Sequence, residues 1–326
     1  MDPRGALSLT ANARWWQSNA RSDSVGWLSR MAAQNLRGGP RGMVNSVMFP
    51  GGARVPALGM GTWALGDSAE RRTQEIASLR LGLDLGLRVV DTAEMYGAGR
   101  SERLVGEAIA GRRDEVFLVT KVLPSNASRA GVAASCRASL RRLGTDRIDL
   151  YLLHWRGAVP LGETIGAFER LKREGLIGAW GVSNFDVGDL DDLARVASPD
   201  PCAANQILYS LDYRGVEFDL LEADRRRSIV TMAYSPLGQG GDLLHQPVLE
   251  RIADRHETSL GPATPAQVAL AWVLRQPGML AIPKAGSPQH QRENVAATEL
   301  VLTSEDLAAI DRSIPPPRRK VPLAMI

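Results

Sequence analysis

Seven short apolar runs in this chain each stop at a polar residue: GLRVVD, EVFLVTK, IDLYLLH, IGAWGVSN, AANQ, SIVTMAYS and MLAIPK. The polar stops are Asp91, Lys121, His154, Ser183, Gln206, Tyr234 and Lys284, at intervals of 30, 33, 29, 23, 28 and 50 residues. Each interval has room for one helix and a return. Strands that alternate with helices pair in parallel, because a parallel partner needs a crossover of that length. LGMGTW, residues 58–63, supplies a further strand at the front and makes eight. Units this regular along the chain favour an α/β fold closed as a (β/α)8 TIM barrel over an open doubly wound sheet. The 50-residue interval has room for an extra helix around Pro247 to His256. VMFPGGARV reads as an N-terminal β-hairpin turning at Pro50-Gly51-Gly52.

The segments between the runs carry helical periodicity. In SRAGVAASCRASLRRLG, Ser128 is placed to cap and Val132, Cys136, Leu140 and Leu143 share one face. In ETIGAFERLKREGL, Ile165, Phe168 and Leu171 point inward and Gly175 is a C-terminal stop. In TPAQVALAWVLR, Thr264 and Gln267 have capping-box spacing around Pro265. Asn126-Ala127-Ser128 matches a glycosylation sequon and is read instead as a loop leading into a helix cap.

One motif competes with the barrel. Gly59-Met60-Gly61-Thr62-Trp63-Ala64 fits the dinucleotide fingerprint GxGxxG/A. That fingerprint requires a hydrophobic strand before it and a helix starting inside it. Here Pro56 precedes it and TWALGDSAE follows as a loop, so the context argues against a Rossmann turn.

In a barrel of parallel strands the carboxyl ends converge on one face, and polar residues there share one cavity. Asp91, Lys121 and His154 end successive runs, and Tyr96 lies five residues beyond Asp91. Any one of them alone could be a cap, a rim contact or a satisfied core histidine. Together they make chemical sense. A phenol titrates near pH 10, and a neighbouring ammonium favours its phenolate and lowers that value. A carboxylate keeps the ammonium charged, and an imidazole orients a substrate oxygen by a hydrogen bond. The set is a proton donor to an oxygen that gains negative charge, as in carbonyl reduction when hydride arrives from elsewhere. Lysine usage agrees: the chain has 35 arginines and four lysines, and two of the four, Lys121 and Lys284, end barrel strands.

Charge excludes some functions. The net charge is +3, but residues 1–46 hold six arginines against two aspartates, which leaves the remainder near −1. No basic nucleic-acid face is therefore expected on residues 47–326, the expected barrel domain. No apolar run approaches the roughly 20 residues of a spanning helix. Cys136 and Cys202 form no ligand-spaced pair and read as buried free thiols, so no metal is expected and a cytoplasmic location is. Residues 1–46 read as a disordered Arg/Ser/Gly-rich extension. A transit-like segment or a true start at Met31 or Met43 are the alternatives.

The stretches LGMGTW, VVDTAEMYGAGRSE, FLVTK, YLLHW, GVSNF, AANQ, AYSPLG and IPKAGSPQHQREN, from residue 47 to about 320, closely resemble the aldo-keto reductase family. The ending PPPRRKVPLAMI, with IPKAGSPQHQREN, is most similar to bacterial members related to diketogulonate and methylglyoxal reductases. The resemblance implies the catalytic tetrad Asp91, Tyr96, Lys121 and His154, and NADPH-dependent reduction of aldehydes or ketones with Tyr96 as general acid. For the cofactor it implies Gly61, Thr62, Trp63, Asp91, Ser183, Asn184 and Gln206 around the nicotinamide, with Tyr234 stacked on its ring. It also implies Ser235, Leu237, Gly238 and Gln239 along the pyrophosphate, and Ile282, Lys284, Ser287, His290, Glu293 and Asn294 at the adenosine phosphate. Trp63, Met95 and Trp155 would line the pocket for a small carbonyl substrate. The short tail would leave little chain to enclose a bulky one.

The sequence departs from the family pattern where many members carry an arginine for the 2′-phosphate and this chain has His290. Ala285 likewise stands where a serine often follows the lysine. NADPH is the expected cofactor and NADH remains open. Two other functions also remain open: a cofactor-binding regulatory subunit without turnover, and NAD-dependent alcohol oxidation. By analogy a monomer is expected, with no nucleic-acid or membrane partner.

Overall fold

The computed structural model describes residues 45–196 and 198–326. The expectation of a disordered extension falls almost wholly outside these residues. The hairpin begins at Ser46, one residue before the expected boundary: β1 (Ser46–Met48) pairs antiparallel with β2 (Arg54–Pro56). The turn lies at Pro50-Gly51-Gly52, where both glycines take φ above +90°.

Eight strands then run parallel in the order expected. They are β3 (Met60–Gly61), β4 (Val89–Asp91), β5 (Phe117–Val122), β6 (Ile148–Leu153), β7 (Ile177–Ser183), β8 (Ala204–Leu208), β9 (Val230–Tyr234) and β12 (Met279–Ala281). Neighbours in sequence pair from β3 through β9, and β12 pairs with β9. Parallel bridges Leu58↔Ala281 and Gly61↔Lys284 join the first strand to the last and close the (β/α)8 barrel. β10 (Glu257–Thr258) and β11 (Gly261–Pro262) form a separate small hairpin.

The closure explains the glycines of LGMGTW. A Cβ on Gly61 would sit 2.5 Å from the Ile282 carbonyl oxygen, and one on Gly59 would sit 2.9 Å from the Val89 Cβ. These residues are glycine because strands cross there at close range. No helix follows until α1 (Arg72–Asp84), which removes the Rossmann reading.

The helices form where periodicity and caps predict. In α3 (Arg129–Leu143) the Ser128 hydroxyl accepts from the Gly131 amide, and Gly144 ends the helix in the left-handed region. α4 (Leu161–Arg173) buries Ile165, Phe168 and Leu171, and ends before Gly175 at φ 75°. α8 (Pro265–Leu274) carries the reciprocal Thr264–Gln267 capping box. The extra helix of the long interval is α7 (Pro247–Ala253). The remaining helices are α2 (Arg100–Ile109), α5 (Val187–Ala194), α6 (Leu220–Arg226), α9 (Pro288–Ala296) and α10 (Ser304–Ser313). Among the described residues no helix is long and apolar enough to cross a membrane.

Two apolar cores hold the fold. The larger lies between sheet and helices and includes Cys136, Phe168, Phe185 and Trp272. The smaller fills the barrel itself with Val89, Val119, Leu150, Leu152, Val230, Met232 and Leu280. The hairpin closes the amino-terminal end of the barrel, with Phe49 stacked on Phe117 at 4.8 Å. With that end plugged and the interior packed, the carboxyl-end face is left to carry polar groups.

Candidate active site

Asp91 is the last residue of β4, and Lys121 is the penultimate residue of β5. Parallel register places them on neighbouring strands at the same rim. The Lys121 ammonium donates to Asp91 Oδ2 at 2.7 Å, to the Thr92 carbonyl at 2.9 Å and to the Tyr96 hydroxyl at 3.1 Å. Lys121 has no exposed surface, and Asp91 has 2%. A buried ammonium with three oxygen partners has its three donor directions satisfied. The second Asp91 oxygen accepts from the Gln206 amide at 2.7 Å.

Tyr96 reaches this group because the chain turns sharply after β4. Gly97 and Ala98 take positive φ of 55° and 50°, and Gly99 follows at 82° before α2. The floor of the turn is a hydroxyl cluster. Ser101 donates to the Thr62 carbonyl at 3.0 Å, and the Thr62 hydroxyl donates to the Asp91 carbonyl at 2.9 Å. His154 follows β6 and packs edge-on to Tyr96, with ring centres 5.8 Å apart. The exposed Trp63 packs edge-on to the other side of Tyr96 at 4.9 Å. Trp155 tilts against His154 at 4.9 Å, and Met95 is half-buried beside Tyr96 in sequence.

Burial dominates the electrostatics. It pushes the Tyr96 hydroxyl above its usual pKa, and Asp91 adds to this, while Lys121 pulls the other way without prevailing. The expectation from sequence, a phenol made more acidic by its ammonium neighbour, is therefore corrected: desolvation of the phenolate outweighs the Lys121 charge. Burial acts to lower the Lys121 pKa, but Asp91 and Tyr96 raise it further, so the ammonium is held charged. Burial, assisted by the Lys121 charge, lowers His154 to about 3, so its ring is neutral at physiological pH. Its Nδ1 has no hydrogen-bond partner among the described residues.

Next to this group lies an amide-rich ledge. Ser183 ends β7 and donates to the Gln206 carbonyl at 2.9 Å. Asn184 sits at φ 57°, with its Nδ2 donating to the His154 carbonyl at 3.2 Å. The Tyr234 hydroxyl donates to Asn184 Oδ1 at 2.9 Å. Ser235, at φ 47°, turns the chain after β9 towards Leu237, Gly238 and Gln239. Burial pushes the Tyr234 phenol up to about 12, with the nearby Ile326 backbone acting against the rise. The short tail thus reaches Tyr234, pinned on the way by Lys320 between Asp186 at 2.5 Å and Asp219 at 2.8 Å.

A cationic end completes the face. Lys284 pairs through its backbone with Gly61, and Gly61 pairs with Asp91, so Lys284 lies two strands from Asp91. Its side chain is exposed and has no carboxylate partner among the described residues. Ser287 caps α9 by accepting from the His290 amide at 3.2 Å, and the Ser78 hydroxyl holds the loop through the Ala285 and Ser287 carbonyls. His290 is exposed, Glu293 is half-buried and Asn294 is buried. Ring, amides, free ammonium and helix N-terminus follow one another along one rim. That donor set fits a flat amide-bearing ring at one end and phosphate at the other.

The structure brings Asp91, Tyr96, Lys121, His154 and Gln206 into one group. It spreads Lys284, Ser287 and His290 to a separate part of the same face. Sequence reasoning missed the Thr92 carbonyl and the Thr62–Ser101 floor, because backbone acceptors and small hydroxyls leave no pattern. It read Gln206 as a cofactor ligand without seeing that Gln206 holds Asp91. No cluster of potential metal ligands occurs among the described residues.

The model described as the aldo/keto reductase family matches residues 57–315. Methylglyoxal reductase YeaE of Escherichia coli (strain K12) is 45% identical over 284 residues, 86% of this chain and 98% of that protein. Methylglyoxal reductase DkgB of Salmonella typhi is 34% identical over 265 residues, 78% of this chain and 92% of that one. An aldo/keto reductase from Klebsiella pneumoniae, solved in complex with NADP and acetate, has a TM-score of 0.83 at 49% identity and covers 87% of this chain and 100% of its own. With the buried Asp91–Lys121–Tyr96 line at the mouth of a closed barrel, these likenesses show that the chain belongs to the aldo/keto reductase family of oxidoreductases acting on carbonyl groups.

Proposed function

We propose that this protein reduces small aldehydes or ketones to alcohols with NADPH, and that Tyr96 is the general acid. The carrying observation is the buried line in which Lys121 bridges Asp91 at 2.7 Å and the Tyr96 hydroxyl at 3.1 Å. The reduced nicotinamide, when bound, supplies hydride to the carbonyl carbon. Tyr96 gives its proton to the carbonyl oxygen as charge develops there. Its raised pKa keeps the hydroxyl protonated and ready at neutral pH. Lys121 stabilises the phenolate left behind, and Asp91 and Gln206 hold Lys121 in place. The neutral His154 hydrogen-bonds the substrate oxygen and orients it towards Tyr96.

Ser183, Asn184 and Gln206 bind the nicotinamide amide, and Tyr234 stacks on the ring. Ser235, Leu237, Gly238 and Gln239 follow the pyrophosphate, and Lys284, Ser287 and the start of α9 take the adenosine phosphate. Gly61, Thr62 and Ile282 shape the wall nearby, where no side chain fits at Gly61. Trp63, Met95 and Trp155 line a small aromatic pocket, which suits a compact substrate. The names of the Escherichia coli and Salmonella relatives make α-oxoaldehydes the first class to test. NADPH is favoured over NADH by Lys284, which has no carboxylate partner among the described residues, while His290 leaves that preference smaller than a bidentate arginine would.

The test is oxidation of NADPH and of NADH by the purified protein over a panel of aldehydes, ketones and α-dicarbonyls. Turnover of at least one carbonyl by the wild type, lost in Tyr96→Phe, supports the reading. Tight NADPH binding with no turnover across the panel would favour a regulatory cofactor-binding subunit. Tighter binding of NADH than NADPH would overturn the cofactor assignment.

A further inference from the structure

A second polar cluster is sealed on the outer side of β8 and β9, beneath α6. Asp224 has no exposed surface. Its Oδ2 accepts from the Thr231 hydroxyl at 2.8 Å, and its Oδ1 accepts from the Asn205 amide at 3.4 Å. Asn205, also without exposed surface, donates from the same amide to the Phe185 carbonyl at 2.9 Å. Its Oδ1 accepts from the Phe185 N–H at 3.4 Å. One side-chain amide thus grips both backbone groups of the residue that follows Asn184.

Asn205 and Gln206 are consecutive on β8 and point to opposite faces. Gln206 faces inward onto Asp91, and Asn205 faces outward onto Asp224. Asn184 holds a left-handed conformation at φ 57° that non-glycine residues rarely adopt unassisted. Its N–H donates to the Gln206 carbonyl at 2.8 Å, and the Asn205 grip fixes the peptide on its other side. The Phe185 N–H and C=O fix which way round the Asn205 amide sits, and its remaining N–H is left for Asp224. An ionised Asp224 accepts that N–H and anchors the amide against the Phe185 backbone. A protonated Asp224 is a poorer acceptor and carries a donor of its own, so the anchor weakens.

The groups facing Asp224 are few. They are Asn205 on β8, Thr231 on β9, the Cys202 thiol ahead of β8, and Arg227 just beyond α6, whose guanidinium is tied to Asp191. Burial pushes the Asp224 carboxyl up to about 7, against the hydrogen bonds from Thr231 and Asn205 and the charge of Arg227. The Cys202 thiol is pushed up to about 12 and stays neutral. We propose that Asp224 is a positioning residue for the nicotinamide: by anchoring Asn205 it holds the backbone that presents Asn184. This rests on the reading of Ser183, Asn184 and Gln206 as the amide-binding end of the cofactor site.

The sign of the pH effect follows. Ionised Asp224, present above its pKa, keeps Asn184 in place, and protonation below that pKa releases it. Asp224→Asn removes the charge, keeps the shape and mimics the protonated state. The experiment measures NADPH affinity of the wild type and this variant at about pH 6 and about pH 8, beside melting without cofactor. From about pH 8 to about pH 6 wild-type affinity should weaken about five-fold more than the variant's, the effect of one ordinary hydrogen bond. The 2′-phosphate titration is common to both proteins and cancels. At saturating NADPH the variant's kcat should change little while its KM for NADPH rises. Asn205→Ala should reproduce the flat profile, and it carries the test if Asp224→Asn does not fold. Equal affinities at high pH, or the same pH dependence in wild type and variants, would overturn the proposal. Wild-type protein that bound neither NADPH nor NADH would overturn the functional reading instead.

Discussion

The Lys121 ammonium lies 3.1 Å from the Tyr96 hydroxyl and 2.7 Å from Asp91 Oδ2, with no exposed surface on the lysine. A single buried cation therefore links a carboxylate to a phenol across two strands and a turn. A charge placed this way does more for a phenolate that appears during reaction than for the resting phenol, which burial keeps protonated.

Tyr96→Phe removes the hydroxyl and leaves the ring between Trp63 and His154. We expect turnover to fall about 100- to 10,000-fold, the span of a lost general acid. NADPH affinity should stay within about two-fold, since no amide or phosphate ligand is removed. Steady-state kinetics and a binding titration together check this, and full activity in the variant would sink the assigned acid.

Lys121→Met leaves Asp91 buried and unpaired, which should cost about 3–5 kcal/mol of stability. The double variant Asp91→Asn/Lys121→Met should recover part of that loss in urea unfolding while activity stays abolished. Recovered activity in the double variant would show that the pair is structural only.

His154 is held near pKa 3 by burial and by Lys121, against about 6.5 in an unfolded chain. The unfolded chain binds this proton and the folded one refuses it as pH drops below 6.5. The stability contribution is therefore present above about pH 6.5 and is lost progressively as pH falls towards 3, at up to about 1.4 kcal/mol per pH unit. Urea unfolding of wild type and His154→Gln between about pH 7 and pH 4.5 should show a shallower acid loss in the variant. Identical slopes would contradict a neutral buried imidazole.

His290 is exposed at the start of α9 and brings no bidentate donor. His290→Arg should tighten NADPH about ten-fold, the effect of a charge-assisted pair, and leave NADH unchanged. An equal gain for both cofactors would place the 2′-phosphate elsewhere.

Gly61→Ala would drive a Cβ to 2.5 Å from the Ile282 carbonyl oxygen at the barrel seam. Backbone on both sides leaves nothing flexible to yield, so a loss of about 1–3 kcal/mol is expected, read as a lowered melting temperature. Gly51→Ala, in open space but at φ 97°, should carry only the backbone cost of its positive φ. Equal effects at both positions would remove the close-approach explanation of Gly61.

Much of the fold was legible because its signals are local. The Ser128 and Thr264 caps, the stop at Gly175 and the hairpin turn at Gly51-Gly52 each depend on a few neighbouring residues. Other features misled or were silent. Gly59 and Gly61 matched a phosphate-loop pattern, yet their reason is a contact with Val89 and Ile282, the latter more than 200 residues away in the chain. Asn205 lay within AANQ with no role of its own and Asp224 carried no motif, since a buried amide and a buried carboxylate look like surface residues until the helix packs over them. Tail length alone did not reveal that Ile326 reaches Tyr234.

By itself the sequence determined the order of strands and helices, the barrel, and which four side chains end up at one rim. Spacing and alternation control those through short-range sterics and burial. Only the tertiary structure decided how Tyr96 titrates, how Gln206 and Thr92 complete the shell around Asp91 and Lys121, and where Asn184 is braced. Those outcomes depend on desolvation and on contacts between residues far apart in the chain. Their strength is set by how much water is excluded, and no single stretch of residues encodes that.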